Sequence, residues 1–192
     1  NTAGDLRIGS GSEIITAVKT RREMIVLTDS SVHSMQFIGP PFTFGINQLA
    51  SAITVRGFNS AVAVGDSVFW MGYDRFYVYD GRVQVIPCSV RDHVFQDFNE
   101  TQSDKIYAGV NSAFGEVFWF YPSQTNAIAN GGNGENDKYV VYNYDQKIWY
   151  VGSLARSSWL DRGVYQYPMA TDSNLVYNHE KGNDNDGTAF TS

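Results

Sequence analysis

Cysteine is almost missing from this chain of 192 residues, which contains one, Cys88. A single thiol excludes an internal disulfide framework and any zinc site built from several cysteines. We expect Cys88 to be a small buried hydrophobic residue, as free cysteines usually are, and not a reactive thiol.

Long apolar runs are missing as well. No stretch approaches membrane-spanning length and no signal peptide opens the sequence, so we expect no membrane among the partners. The first residues, Asn1 to Asp5, are neither an initiator nor a targeting segment. This beginning predicts that the chain is a fragment of a longer protein.

Basic residues are scarce. Against 20 Asp and Glu there are 14 Lys and Arg, which gives a formal net charge of −6 at pH 7. A general nucleic-acid binder needs a basic face that displaces counterions from phosphates, so this balance argues against that class. The tight basic cluster, Lys19 with Arg21 and Arg22, falls at a predicted hairpin tip, where we expect it to be solvated and not to bind phosphate.

Aromatic side chains, by contrast, are plentiful. They make up 15% of the residues. Hydrophobic residues as a whole make up 43%, enough to fill a substantial core in one domain. Apolar and polar residues alternate as strands with one buried face require, and long helical stripes are rare. The sequence therefore predicts an all-β protein.

A strand pattern recurs about four times. Apolar strands begin at Met24, Val68, Val117 and Asn174, after the tight connections Arg21-Arg22-Glu23, Gly65-Asp66-Ser67, Phe114-Gly115-Glu116 and Thr171-Asp172-Ser173. The starts lie about 40 to 60 residues apart, in or just above the range of propeller blades. We predict consecutive antiparallel meanders that form part of a β-propeller, with blade-like units at about residues 14–37, 61–86, 106–151 and 165–192.

Two segments between the strands are predicted to be irregular. We expect Gly39-Pro40-Pro41 to end the first unit, because consecutive prolines cannot donate to a ladder, and residues 46–50 to form a short helical turn. The Asn- and Gly-rich residues 123–137 are predicted to be a flexible surface loop.

One segment changes from the strand period to the helical period. Val90, Val94, Phe95 and Phe98 fall on one helical face, and Ser89 with Asp92 resembles a capping box. We predict a short amphipathic helix at residues 90–99, packed across the edges of the blades.

The three histidines do not have the spacing of a metal site. His33, His93 and His179 lie far apart and lack a His-x-x-x-His arrangement, so we expect them on the surfaces of strands or helices. His179-Glu180 is the most suggestive pair, but no nucleophile lies near it in sequence.

The acidic pairs give equally little indication of chemistry. Asp184-x-Asp186-Gly187 is similar to part of a calcium loop, but Gly182 occupies the first ligand position, so we expect a polar turn. Glu135 with Asp137, like Asp184 with Asp186, falls in a segment that we expect to be too flexible for the geometry of a glycosidase.

Two aromatic clusters have the composition of a platform for a sugar or a base: Phe69-Trp70 with Tyr73, and Phe118-Trp119 with Phe120-Tyr121. Their equivalent places in successive repeats favour an inter-blade core instead. The sequence lacks the Ser-x-Asp-x-Gly-x-x-Trp box of sialidase-like propellers, a Gly-rich phosphate loop and a Gly-x-Ser-x-Gly elbow. We therefore expect a non-enzymatic protein, with no catalytic, cofactor-binding or metal-binding residues.

Several segments resemble structural proteins of tailed-bacteriophage virions. They are residues 32–44, 69–81, 86–98 and 116–123, Tyr142-Asn143-Tyr144, Leu154-Ala155-Arg156, Trp159-Leu160-Asp161-Arg162-Gly163 and residues 177–182. Together they cover most of residues 14 to 187. Within that group the chain resembles the tail nozzle, or tail tubular, proteins that contain a β-propeller.

The resemblance implies a structural component of the phage tail, located in the virion and lining the channel for DNA ejection. Its partners would be copies of itself in a ring, adjacent tail or portal-adaptor proteins, and genomic DNA that passes an acidic wall without specific binding. No catalytic residue and no cofactor come with the resemblance. The alternatives are a host-contacting tail adhesin and a glycan-cleaving propeller enzyme.

Overall fold

The computed structural model describes residues 7–9, 13–182, 184–185 and 188–189. This part of the chain forms three four-stranded, one three-stranded and one two-stranded antiparallel sheet. One short α-helix accompanies them within the described residues. The prediction of an all-β protein built from consecutive antiparallel meanders is confirmed.

Sheet 1 contains β1 (Ile14–Lys19), β2 (Met24–Thr28), β3 (Ser31–Gly39) and β4 (Thr43–Ser51) in sequence order. The fourth strand corrects the prediction of a helical turn at residues 46–50 and of a unit that ends at residue 37. Pro40 and Pro41 lie in the turn itself, where no ladder N–H is needed, so the chain reverses there and pairs again, from Gly39 opposite Thr43 onwards.

Sheet 2 consists of β5 (Ala61–Val64), β6 (Ser67–Met71), β7 (Phe76–Tyr79) and β8 (Val83–Ile86). Its last hairpin turns at Asp80-Gly81, and Gly81 has a φ of 101°, a left-handed conformation that glycine adopts without strain.

A helical segment connects sheets 2 and 3. Helix α1 runs only from Arg91 to Gln96, and a 3₁₀ segment follows at Glu100–Lys105, so the predicted helix at residues 90–99 is too long. Val90 is the N-cap and no side chain caps it, which corrects the capping box predicted for Ser89 and Asp92. Asp97 is the C-cap of the helix, and Phe98 then forms an isolated bridge with Ser123.

Sheet 3 consists of β9 (Tyr107–Asn111), β10 (Glu116–Tyr121), β11 (Lys138–Asn143) and β12 (Ile148–Ser153). The connection from β10 to β11 is built by its own hydrogen bonds, in contrast to the flexible loop predicted for residues 123–137. The carboxylate of Asp137 accepts the backbone N–H of Ser123 at 2.8 Å and its hydroxyl at 2.7 Å. The amide of Asn126 donates to the side chain of Asn133 at 2.7 Å and to the carbonyl of Glu135 at 2.9 Å.

Sheet 4 has three strands, β13 (Ser158–Leu160), β14 (Met169–Asp172) and β15 (Leu175–Asn178). It therefore begins before residue 165, where the sequence placed the fourth unit. A strand of three residues is too short to show alternation, which explains the difference. A small hairpin of β16 (Asp184–Asn185) and β17 (Thr188–Ala189) follows.

The four larger sheets stack in sequence order, each on the next. One apolar cluster joins sheets 1 and 2 and includes Leu27 and Trp70. A larger one joins sheets 2 and 3 around Phe76 and Trp119, and a third joins sheets 3 and 4 around Trp159. The first strands also lie side by side, because β1 contacts β5, β5 contacts β9, and β9 contacts β13.

The turns that follow these first strands lie on one side of the stack. Arg22, in the turn after β1, donates from Nε to the carboxylate of Asp66, in the turn after β5, at 3.1 Å. Ser112, after β9, donates its backbone N–H to the carboxylate of Asp161, after β13, at 3.3 Å. We call this side of the stack the turn side.

Candidate functional site

The two tryptophans of the aromatic clusters are core residues. Trp70 and Trp119 are both 0% exposed, on the faces of β6 and β10 that pack against the preceding sheet. Each indole N–H donates to a backbone carbonyl, that of Thr54 at 3.2 Å for Trp70 and that of Ser60 at 2.9 Å for Trp119. The interpretation of these tryptophans as core residues therefore fits the structure, and neither ring is free to stack on a ligand.

The other members of the two clusters divide between core and surface. Phe118 and Phe120 stack on Trp159 of sheet 4, with ring centroids 5.1 and 5.8 Å away. Tyr73 is 55% exposed, and the guanidinium of the buried Arg56 lies 4.8 Å from its ring centroid. The structure thus spreads these rings over several sheets and gathers no ligand platform from them.

The three histidines occupy three different environments. His33 is buried on β3, with Nε2 2.8 Å from the hydroxyl of Ser31, which corrects the expectation of a surface position. His93 is exposed on α1, as expected. His179 follows β15 and is half-buried, in neither a strand nor a helix. The structure does not bring them together.

His179 belongs to a cluster that the sequence did not indicate beyond the pair His179-Glu180. Arg156 donates from Nε to Nε2 of His179 at 2.9 Å, and its guanidinium lies 4.2 Å from the ring centroid of Tyr177. The imidazole also packs against Trp159, at a centroid distance of 4.8 Å. Burial and the neighbouring Arg156 cation lower the pKa of His179 to about 4, so this histidine is a neutral acceptor.

A second polar group lies on the face of sheet 3 that points towards sheet 4. Glu116 accepts a hydrogen bond from the hydroxyl of Tyr150, and Asn111 donates to Glu180 at 3.4 Å. Burial raises the pKa of Glu116, and the Glu180 carboxylate raises it further. Sequence reasoning missed this group because its members come from β9, β10, β12 and the segment after β15, with no motif in common.

The predicted acidic pairs do not form a site in the part of the chain that the structure describes. Asp137 anchors the connection after β10 through Ser123, while Glu135 pairs with Lys105, with Nζ 2.5 Å from the carboxylate. The two carboxylates therefore have separate structural partners. Asp186, of the calcium-like pair with Asp184, lies outside the described residues.

Cys88 and the basic cluster have simple environments. Cys88 is half-buried against the cluster between sheets 2 and 3, and burial raises the pKa of its thiol to about 11, so it is not a thiolate at neutral pH. Lys19, at the end of β1, and Arg21 and Arg22, in the turn that follows, are exposed as predicted, and Arg22 is held by Asp66 in the turn after β5.

A concave pocket of about 450 Å³ lies between the first strands β5, β9 and β13. Its walls are mainly small and aliphatic, with Val62, Val64 and Val110 among them. Asp161 is the one charged residue among its described lining residues, and its carboxylate already accepts the N–H of Ser112. The pocket has room for a small molecule, but these groups do not provide an acid and base pair.

Neither a metal-binding cluster nor a membrane-spanning helix is found among the described residues. There, no three His, Cys, Asp or Glu side chains are grouped so as to hold a metal ion. Likewise, no helix in the described part of the chain is long and apolar enough to cross a membrane.

Comparisons with known proteins show similarity of fold alone. No family model and no curated protein matches the chain. Among solved structures, the extracellular domain of a candidate one-component system from B. thetaiotaomicron superposes with a TM-score of 0.55 at 9% identity, over 93% of this chain and 22% of that one. The chain thus spans about a fifth of that protein's length. A plant lectin from Cicer arietinum matches at 12% identity over 89% of this chain and 88% of its own, with a TM-score of 0.36, too low to support any argument.

Proposed function

We propose that this chain is part of a β-propeller that serves as a structural component of a bacteriophage tail, most like a nozzle or tail-tube protein around the DNA channel. It acts through its shape and its contacts with neighbouring subunits, and it performs no chemistry. Its partners are copies of itself in a ring, adjacent tail or portal-adaptor proteins, and DNA that passes without specific binding. Its location is the virion.

The observation that carries the propeller part of the proposal is the position of the first strands. In a propeller, each blade places one strand at the central channel and packs its faces on the two neighbouring blades. Here β1, β5, β9 and β13 are neighbours in that order, and apolar clusters join each sheet to the next. A meander of four strands, seen in sheets 1 to 3, is also the composition of a blade.

The phage part of the proposal depends on the resemblance of the sequence to virion structural proteins. The resembling segments are spread over all four larger sheets, among them residues 32–44 in sheet 1 and residues 116–123 in sheet 3. They include core residues such as Trp119 and Trp159. The resemblance therefore extends over all four sheets and includes the core. This distribution supports a shared structural scaffold, as a structural role requires.

The charge of the chain suits a wall that DNA passes. A net charge of −6 repels phosphates, so weak contacts through the exposed Lys19 and Arg21 are not reinforced by a basic field. Any binding of DNA should therefore be weak and should vanish near physiological salt, since few counterions are released.

Electron cryomicroscopy of virions that contain the full-length protein tests this proposal. We expect a closed ring of copies around the tail channel, with density for stacked four-stranded sheets. A monomeric fibre tip at the periphery, together with binding of the isolated protein to host cells, would favour an adhesin instead. Turnover of a glycan by the isolated protein, abolished by loss of one carboxylate, would establish an enzyme.

A further inference from the structure

Two carboxylates meet on the turn side of sheet 3. Glu116, the first residue of β10, lies directly opposite Asn111, the last residue of β9. Glu180, in the segment after β15, reaches the same place, because its Oε1 lies 3.4 Å from Nδ2 of Asn111. Direct cross-strand neighbours hold their Cβ atoms about 5 Å apart, so Asn111 adjoins both carboxylates. We call Asn111, Glu116 and Glu180 the oxygen cluster.

The negative charge of the oxygen cluster is not balanced. None of the ion pairs in the described part of the chain includes Glu116 or Glu180. Burial raises the pKa of Glu116, and the Glu180 carboxylate raises it further, so the two groups are near enough to repel each other. This unbalanced charge attracts a cation.

Further carboxylates strengthen the negative field. Tyr144 follows β11, whose last residue is paired with Glu116 through Asn143. Burial raises the pKa of Tyr144, and nearby carboxylates, those of Asp145, Asp161 and Glu116, raise it further. Negative charge therefore extends beyond the two carboxylates of the cluster.

Asn111 provides the observation that points to a ligand. Its side chain is 0% exposed, and its Oδ1 atom has no hydrogen-bond partner among the described residues. Such an atom destabilises a fold, and buried polar groups in native proteins almost always have a partner. Because Oδ1 and Nδ2 belong to the same amide, this oxygen lies beside the two carboxylates.

We propose that Glu116, Glu180 and Oδ1 of Asn111 bind a calcium ion, which fastens the segment after β15 to sheet 3. Ca²⁺ takes about six to eight oxygen ligands in a flexible geometry, and carboxylates, amide carbonyls and water are the usual ones. Glu180 is exposed, so water has access to complete the set.

The chemistry of the ligands favours calcium over a softer metal. All three ligand atoms are oxygens, whereas zinc and copper prefer nitrogen and sulfur. His179 is the neighbour of Glu180 in sequence, but its Nε2 accepts the hydrogen bond from Arg156. The cluster is therefore a site for a hard cation.

The oxygen cluster differs from the sequence-based expectation of no metal-binding residue. It combines two carboxylates with an amide, and so it is not a group of three His, Cys, Asp or Glu side chains, which the described residues lack. The inference goes beyond the proposed function and does not depend on it. It adds an ion-dependent link between sheets 3 and 4.

A proton is the alternative occupant. A proton on Glu116 would also relieve its repulsion with Glu180, and the raised pKa of Glu116 favours it. The hydroxyl of Tyr150, however, donates to the Glu116 carboxylate and so favours the ionised form. Calcium titration distinguishes the two, because a protonated cluster does not respond to the ion.

Calorimetric titration of the full-length protein with calcium chloride tests the site. We expect a dissociation constant on the order of 10⁻⁴–10⁻³ M, because the cluster supplies few ligands. Glu116→Gln and Glu180→Gln should each lose this binding, since Gln keeps the size of Glu and can still accept a hydrogen bond. Glu135→Gln is the matched control, because Glu135 pairs with Lys105 outside the cluster. No binding of calcium, or equal binding by Glu116→Gln and Glu135→Gln, overturns the inference.

Trypsin cleavage shows whether the ion fastens the segment after β15. Lys181 is exposed and directly follows Glu180. At about ten times the dissociation constant, calcium should slow cleavage after Lys181 about tenfold, because the ion must leave before the segment opens. Arg162 is exposed outside the cluster, so cleavage after it in the same digest controls for effects of calcium on trypsin.

Two comparisons complete the digest. Glu116→Gln should abolish the protection of Lys181 by calcium. Magnesium chloride at the same concentration should protect Lys181 far less, because Mg²⁺ demands a near-octahedral geometry and gives up its water reluctantly. Equal protection by magnesium, or equal slowing after Lys181 and Arg162, would show a general effect of salt and reject the calcium site.

Discussion

Trp70 and Trp119 occupy the same position in neighbouring sheets. Trp70 lies opposite Ala61 on one side and Tyr77 on the other, and Trp119 lies opposite Ala108 and Val140. A small residue on the first strand in both sheets makes room for the indole. The repeat in the sequence is therefore a repeat of packing, in which one large ring fills the space between each sheet and the preceding one.

Truncation of either tryptophan should destabilise the fold strongly. Trp70→Ala or Trp119→Ala should lower the free energy of unfolding by about 3–5 kcal/mol, because a buried ring is lost and a cavity remains. Urea unfolding followed by circular dichroism measures this change. Phe114→Ala, at an exposed ring, should change stability by less than about 0.5 kcal/mol, and a similar loss in both kinds of variant would contradict the core position.

The Asp137 carboxylate should control the connection between β10 and β11. Asp137→Ala leaves the N–H and the hydroxyl of the buried Ser123 without their acceptor, which should cost about 1–3 kcal/mol. Limited proteolysis should then cleave within residues 123–137 well before the unaltered chain is cut. Glu135→Ala, which removes a partly exposed pair with Lys105, should leave the cleavage rate nearly unchanged.

Gly109 should tolerate no side chain. A Cβ atom there would lie 2.6 Å from the ring of Trp159, so Gly109→Ala forces sheets 3 and 4 apart and should cost about 1–3 kcal/mol. Gly57→Ala is the matched control, since its Cβ would meet its nearest neighbours at 3.4 Å, an ordinary contact. Equal thermal unfolding midpoints for the two variants would show that sheets 3 and 4 do not pack as described.

The stability of the chain should fall in mild acid because His179 takes up a proton more readily in the unfolded state. Its folded pKa of about 4 lies below the ordinary value of 6.5, so the unfolded chain takes up this proton first. The contribution of neutral His179 to the free energy of unfolding is complete above about pH 6.5. It is lost as the pH falls towards about 4. His179→Gln keeps an acceptor for Arg156 without the titration, and it should flatten the dependence of the urea midpoint on pH in this window.

The same pH series contains its own control. His93→Gln removes an exposed histidine of α1 and leaves Arg156 and His179 in place, so the loss of stability through His179 should remain. If His179→Gln and the unaltered chain lose stability in parallel between pH 6.5 and 4, burial and the Arg156 cation do not hold His179 neutral.

Local sequence was sufficient for most of the strands. Alternation of apolar and polar residues located the hairpins at Gly65-Asp66 and Asp80-Gly81, because strand period and turn residues are set within a few positions along the chain. The same local signals gave wrong predictions where strand pairing determines the secondary structure. Residues 46–50 form part of β4 because the long strand β3 offers them a ladder, and β13 is too short to be recognised without its partner β14.

The sequence by itself determined that this protein is all-β, repetitive, acidic and low in cysteine, because these properties depend on composition and on short-range periodicity. Only the tertiary structure decided which polar groups meet. Arg156 reaches His179, and Glu116 meets Tyr150. These contacts join residues that are distant along the chain, and strand pairing within sheets 3 and 4 brings them together.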